Sequence, residues 1–175
     1  MILVVGPGRC GTSSVARILH ENGVSMGHLM NRADRYNPAG YYEDMELLEV
    51  NRAFFRGKIN EDTFVFMVRN ILDNRYEPWG LKDTRLCHLL PFYLPLLANP
   101  RFIRCRRPKE DIIKSMMRSL SWSEEKARKN VETAEGKLDL YLTGKDVLEV
   151  NIGEYEQILP WLHNGKYSLG GESRQ

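Results

Sequence analysis

The chain opens on Ile2-Leu-Val-Val5, passes through Gly6-Pro-Gly-Arg-Cys-Gly11, and enters Thr12-Ser-Ser14 with Val15, Ile18 and Leu19 following at helical spacing. Apolar residues in an unbroken run fit a strand buried on both faces of a parallel sheet. Glycines at 6, 8 and 11 make a loop whose backbone can come close to a ligand, and Gly23 falls just past the end of the helix. Strand, glycine loop, helix is how a nucleotide-binding α/β domain begins. The expected fold is α/β, a three-layer P-loop-type arrangement with a central, mostly parallel sheet flanked by helices.

The rest of the chain continues in that pattern. Met45 to Phe55 has helical spacing, whereas Phe64 to Leu72 fits helix or strand equally well. Trp79 to Lys82 reads as a short strand, Arg85 to Leu97 as mostly helix, and Arg101 to Cys105 as another strand. Pro108 suits a first helical residue, with Ile112 to Leu120 continuing as helix. Ser123 is a natural N-cap for a charged helical stretch reaching Leu142, and Val147 to Val150 is a last candidate strand. Residues 27–42 lose periodicity and read as a long loop over one sheet edge. The tail, 165–175, is expected to fray.

At 175 residues a single domain spanning 1–175 is expected. An apolar share of 42% with 27% charged residues excludes disorder, collagen and coiled coil as descriptions of the whole. A net charge of +2 is too balanced for a nucleic-acid binder driven by bulk charge. Cys10, Cys87 and Cys105 show neither CxxC nor His/Cys ligand spacing, so the expectation is reduced thiols in a cytoplasmic protein, with no zinc site. The longest apolar run, Leu89 to Ala98, carries Pro91 and Pro95 and is about half a membrane span. No signal peptide is expected, because the N-terminus lacks a basic lead-in.

Two patterns overlap in the glycine loop. Gly6, Gly8 and Gly11 spell GxGxxG, the dinucleotide fingerprint, and the same stretch spells GxxxxGTS, a P-loop with Thr12 at the lysine position. Both hold an anion on backbone N–H groups at a helix N-terminus. A dinucleotide site needs an acidic residue closing a second strand, and after Val24-Ser-Met26 comes Gly27-His28 instead. An ATP-dependent kinase or NTPase needs a phosphate-binding lysine and a carboxylate helping to hold magnesium. Asp83 follows a short strand but lies within Leu81-Lys-Asp-Thr-Arg85.

Arg9-Cys-Gly-Thr-Ser13 resembles the donor loop of the sulfotransferase family, a basic residue followed by any residue, Gly, Thr and a hydroxyl residue. The resemblance is to carbohydrate and bacterial members and extends over about residues 2 to 160. It implies sulfuryl transfer from 3′-phosphoadenosine 5′-phosphosulfate, leaving 3′,5′-ADP, to a hydroxyl or amine of a small-molecule or glycan acceptor, with no divalent metal required. By that resemblance Gly8, Arg9, Cys10, Gly11, Thr12, Ser13 and Ser14 form the 5′ cradle, with Arg9 on the phosphosulfate.

Four further segments carry the likeness, one of them Val147 to Leu159, which resembles the family's late strand and following helix. Phe102-Ile-Arg-Cys-Arg-Arg-Pro108 and the serine-bearing helix after it resemble the family's 3′-phosphate element, mapping to Arg106 and Ser115. The proline-to-serine spacing is one residue longer than usual, so the family's offset falls on Lys114. Arg104 and Arg106 share one face if this is a strand. Trp79 to Tyr93, with Lys82, Asp83 and Arg85, resembles a stretch of bacterial members in which Thr84 is proline. Asn37-Pro-Ala-Gly-Tyr-Tyr-Glu43 resembles the segment after the first helix, and Glu43 is the expected base, with Asp44, Glu46 and His88 as rivals. Glu43, Arg9 and Lys82 are thus the expected catalytic side chains, and residues 31–44 the expected acceptor wall. Two other readings stand beside this one: a P-loop phosphotransferase using ATP, and a non-catalytic nucleotide- or glycan-binding relative.

Overall fold

The structure is a computed structural model describing residues 1–27, 33–34, 37–76 and 78–164. The tail expected to fray and much of the first half of the expected acceptor wall lie outside these residues. Four strands, β1 (Ile2–Val5), β2 (Gly80–Lys82), β3 (Arg101–Arg106) and β4 (Val147–Asn151), form one sheet in the order β2-β1-β3-β4. Every pairing is parallel, with Leu3 level with Leu81 on one side and Phe102 on the other. The expected α/β fold with a parallel central sheet is therefore what the chain forms.

Among the described residues, seven α-helices surround this sheet: α1 (Thr12–Glu21), α2 (Met45–Phe55), α3 (Glu61–Leu72), α4 (Leu86–Tyr93), α5 (Lys109–Leu120), α6 (Glu124–Leu142) and α7 (Ile158–Asn164). Three of them start on ordinary side-chain caps. Asp44 Oδ1 accepts from the amides of Glu46 and Leu47, Asn60 Oδ1 from Thr63, and Ser123 Oγ from Lys126. Phe64 to Leu72 resolves as helix, because Asn60 caps it and Phe64, Val68 and Leu72 form one buried stripe at helical spacing. Val24 to Met26 does not extend into a strand; only Ser25 bridges to Trp79 at the sheet edge. No helix among the described residues is long and apolar enough to cross a membrane.

Strand alternation divides the core into two layers. Ile2, Val4, Ile103 and Cys105 face α1, α5 and α7, while Leu3, Val5 and Phe102 face α2, α3 and α4. Helix α6 contributes to both, with Ala127 and Val131 on the first side and Ala134, Leu138 and Leu142 on the second. Gly6 is required where β1 leaves the sheet: a Cβ there would lie 2.5 Å from Cys10 Sγ and 3.0 Å from the Cys105 carbonyl oxygen. Burial pushes the Cys87 thiol up to about 12. Cys105 is also held well above the usual thiol range, by its hydrogen bond with Cys10 and by burial. These sulfurs are packing atoms beneath the loop.

The topology fixes where a ligand enters. From β1 the chain crosses to β2 on one side and resumes at β3 on the other, so the strand order reverses between β1 and β3. In open parallel sheets the loops leaving two such strands diverge and open a crevice at their carboxyl ends. Here those loops are Gly6–Gly11 and Arg107–Pro108.

Candidate functional site

A cleft of about 730 Å³ opens at this crevice. Its floor is the glycine loop and the first turn of α1. Gly11 is the N-cap of α1 at φ 96°, a left-handed position suited to glycine. No side chain caps this helix, and its first turn carries no acid. The Ser14 and Val15 amides both donate to the Gly11 carbonyl, leaving the Thr12 and Ser13 amides directed outward at the positive end of the helix dipole. A helix start so built accepts an anion. Arg9 reaches over this floor and donates from Nε to Ser115 Oγ at 3.2 Å, while Arg107 donates to the Arg9 carbonyl oxygen at 3.1 Å. The corners after β1 and β3 therefore meet in one wall.

Charge is unevenly committed around the rim. Lys82, at the end of β2, is 2% exposed and donates from Nζ to Glu43 Oε1 at 2.6 Å. Arg85 pairs with Asp83 at 2.8 Å and Arg52 with Glu49 at 2.6 Å. For Arg9 and Arg107 no carboxylate partner occurs among the described residues, so these two cations carry the cleft's uncompensated charge. Across from them Tyr41 donates to both carboxylate oxygens of Asp34, at 2.9 and 2.8 Å. Its phenol is pushed up to about 12 by partial burial, then by that carboxylate, and so remains a proton donor at neutral pH. Lys82 Nζ lies 5.5 Å from the Tyr41 ring centroid.

Beneath the rim, a buried chain fixes the junction between β2 and α4. Tyr93 donates to Asn51 Oδ1 at 2.7 Å, and Asn51 donates to Asp83 Oδ2 at 2.9 Å. Asp83 Oδ1 accepts from the Arg85 amide at 2.9 Å and from its guanidinium. With both oxygens engaged, Asp83 orients Arg85 at the rim of the cleft.

Of the residues expected at the site, Gly8, Arg9, Gly11, Thr12, Ser13 and Ser14 line the cleft together with Glu43 and Lys82. Cys10 is fully buried behind the loop, and Ser115 is reached through Arg9. Lys114 lies on the outer side of α5, along a separate cavity. Arg106 is placed elsewhere: its guanidinium donates to Glu135 and Glu149, at 2.7 Å each, and the side chain does not line the cleft. The cause is strand parity. Phe102, Arg104 and Arg106 share the face toward α6, so the next residue, Arg107, turns toward the loop.

The rivals to Glu43 are engaged away from the cleft. Asp44 caps α2 and pairs with Arg75, as does Glu46. Half-buried His88 packs against Phe55, with its pKa lowered by burial and by Lys137. Asn37, within the expected acceptor wall, lines the cleft, whereas sequence reasoning did not find Arg52 or Ser119, which line it too; Arg52 belongs to an ordinary helical stretch that carried no signal.

No protein-family model matches the chain, and no curated protein matches it. Among solved structures it is similar to a deoxyadenosine kinase from M. mycoides with bound dATP. The TM-score is 0.54 at 13% identity, over 93% of this chain and 100% of the kinase chain. The likeness shows a P-loop nucleotide-kinase-like fold. The sulfotransferase expectation is corrected accordingly: the fold comparison falls on a nucleotide kinase, not on a phosphosulfate-dependent enzyme. The assigned 3′-phosphate grip is also incomplete, since Arg106 is committed to two glutamates on the other face of the sheet. A glycan acceptor has no support in the comparison.

Proposed function

We propose that the chain is a nucleotide-dependent phosphotransferase, taking a nucleoside triphosphate on the glycine loop and transferring its terminal phosphoryl group to a hydroxyl. The observation that carries this is the uncapped, acid-free start of α1 flanked by the unpaired cations Arg9 and Arg107. Phosphoryl transfer asks a protein mainly for positioning and for charge stabilisation, and these groups supply both. Thr12 stands where a P-loop carries lysine, and Lys82 brings a cation to the cleft from β2. Ser13 offers its hydroxyl where a P-loop meets a phosphate-bound magnesium ion, which would help neutralise charge on the transferred group.

Glu43 is the acceptor-side base. It lines the cleft, and Lys82 holds one of its oxygens, which fixes the carboxylate for a hydroxyl entering past Tyr41. The in-line step breaks the bond between the β,γ-bridging oxygen and the γ-phosphorus, forms a bond from the acceptor oxygen to that phosphorus, and moves the hydroxyl proton to Glu43. A nucleoside, which offers a free hydroxyl, suits this step, in keeping with the deoxyadenosine kinase likeness.

Thermal unfolding with ligand tests this reading. ATP–magnesium at a hundred times its dissociation constant should stabilise the fold by ~2.7 kcal/mol. That raises Tm by roughly 5 to 10 °C for a chain of this size. 5′-AMP should give much less, and ADP should appear when deoxynucleosides are added. Glu43→Gln should lower turnover while keeping the ATP-induced shift. A shift with 3′,5′-ADP that exceeds the one with ATP–magnesium, or ATP binding without phosphorylation of any such acceptor, would overturn the proposal.

A further inference from the structure

Ile152, the first residue past β4, is an apolar side chain left 42% exposed inside the cleft. It is set directly against the phosphate floor. A Cβ on Gly11 would lie 3.3 Å from Ile152 Cγ1 and 3.5 Å from the Tyr155 hydroxyl oxygen, so both side chains border the start of α1. The turn that carries them is well held. The Ile152 amide donates to the Arg106 carbonyl oxygen at 2.9 Å and the Glu154 amide to the Asn151 carbonyl oxygen at 3.1 Å. Asn151 Nδ2 donates to Glu154 Oε2 at 2.8 Å, and Tyr155 is half-buried against the core layer of α1, α5 and α7.

The strand order lays the cleft out in a line. Lys82, with Glu43 on it, stands at the end of β2, the phosphate floor lies between the ends of β1 and β3, and Ile152 follows β4. From the β2 end to the β4 end is three strand spacings, roughly 14 Å. In-line transfer puts the terminal phosphorus of the donor nearest the acceptor hydroxyl, on the Glu43 side. The nucleoside of the donor then trails away from Glu43, over Gly11 and toward the turn after β4.

We propose that Ile152 is the platform for the donor's nucleobase, and that it takes a purine by its face without reading its edge, so that ATP and GTP serve alike. The inference rests on the phosphotransferase reading above and deepens it by naming the donor class. A base laid on Ile152 covers an apolar side chain that is otherwise open to water. The side chains of Asn151 and Glu154 are joined to each other, and the Tyr155 hydroxyl lies low against Gly11. Strong discrimination between bases comes from buried polar groups that demand a partner, and apolar contact discriminates weakly. Adenine and guanine present similar faces and differ at their edges.

The test titrates the full chain with the magnesium complexes of ATP, GTP and inorganic tripolyphosphate, which keeps the phosphates and lacks the nucleoside. Wild type should bind ATP and GTP within about threefold of each other, and each roughly tenfold or more tighter than tripolyphosphate. Ile152→Ser, at an exposed position, should keep the wild-type Tm and weaken ATP and GTP by roughly fivefold or more while leaving tripolyphosphate unchanged. Ile152→Leu, which restores an apolar surface, should bind as wild type does. Tripolyphosphate binding as tightly as ATP, or an Ile152→Ser variant that weakens all three ligands alike or none, would overturn the platform. A tenfold preference for either purine would overturn recognition by the face alone. Failure of all three ligands to bind wild type would instead strike the phosphotransferase reading beneath it, so the two failures are separable.

Discussion

Arg9 holds φ 72° within a loop whose neighbouring left-handed position, Gly11 at φ 96°, is filled by the residue best suited to it. A side chain held there costs on the order of 1–3 kcal/mol, and such strain gathers where a group must be aimed. Arg9 is aimed across the phosphate floor toward Ser115, which explains why arginine is kept where glycine would sit more easily. Arg9→Gly should therefore leave stability within about 1 kcal/mol of wild type, the relieved strain offsetting the added chain entropy and the lost bond to Ser115. Affinity for ATP should drop roughly tenfold or more in the same variant. Urea unfolding paired with ATP titration checks both, and unchanged affinity would remove Arg9 from the site. That the loop is shaped as an anion cradle was legible from Gly6, Gly8, Gly11 and the hydroxyls behind them. Which anion was not, because Thr12 leaves the pattern open between donors that share the same backbone cradle.

At the scale of elements, the segment Lys82 to Arg85 has a polar sequence yet runs through the interior. Lys82 and Asp83 are each 2% exposed. They are tolerated because their partners come from distant elements: Glu43 from the loop before α2, Asn51 from within α2, and Tyr93 from the end of α4. Asn51 is the hinge pin of that set, accepting from Tyr93 while donating to Asp83. Asn51→Ala strands both a phenol and a carboxylate oxygen in the core, which should cost about 2–4 kcal/mol. Because Asp83 positions Arg85 at the cleft, ATP affinity should weaken in the folded variant as well; a stability loss below about 1 kcal/mol would show that water replaces the network. The elements themselves were readable, since caps such as Asn60 and Ser123 and the stripe at Phe64, Val68 and Leu72 are local signals. Asn51 was not, as a single polar residue in an amphipathic helix looks the same whether it faces water or a buried aspartate across the fold.

For the molecule as a whole, the two faces of the sheet have divided the arginines that follow one another in the sequence. Arg104 and Arg106 turn toward α6, where buried Glu135 accepts from both and Glu149 of β4 accepts from Arg106. Arg107, one residue later, turns to the glycine loop. The alternation of a strand fixes that these residues part company, but which side carries the ligand depends on where α1 and α6 pack, and no local pattern states it. The consequence is a pair of substitutions with opposite signatures. Arg106→Ala breaks ion pairs that bind β3 to α6 and β4, and because the side chain is one-third exposed its cost is discounted to about 1–2 kcal/mol. Tm should fall by roughly 2 to 8 °C while ATP affinity holds. Arg107→Ala removes an unpaired cation, so Tm should stay within roughly 2 °C while ATP affinity falls about tenfold or more. Calorimetry and ligand titration on both variants separate the arginine that holds the sheet together from the one that meets the nucleotide. A loss of ATP affinity in Arg106→Ala larger than in Arg107→Ala would reverse the two roles and move the phosphate site to the other face of the sheet.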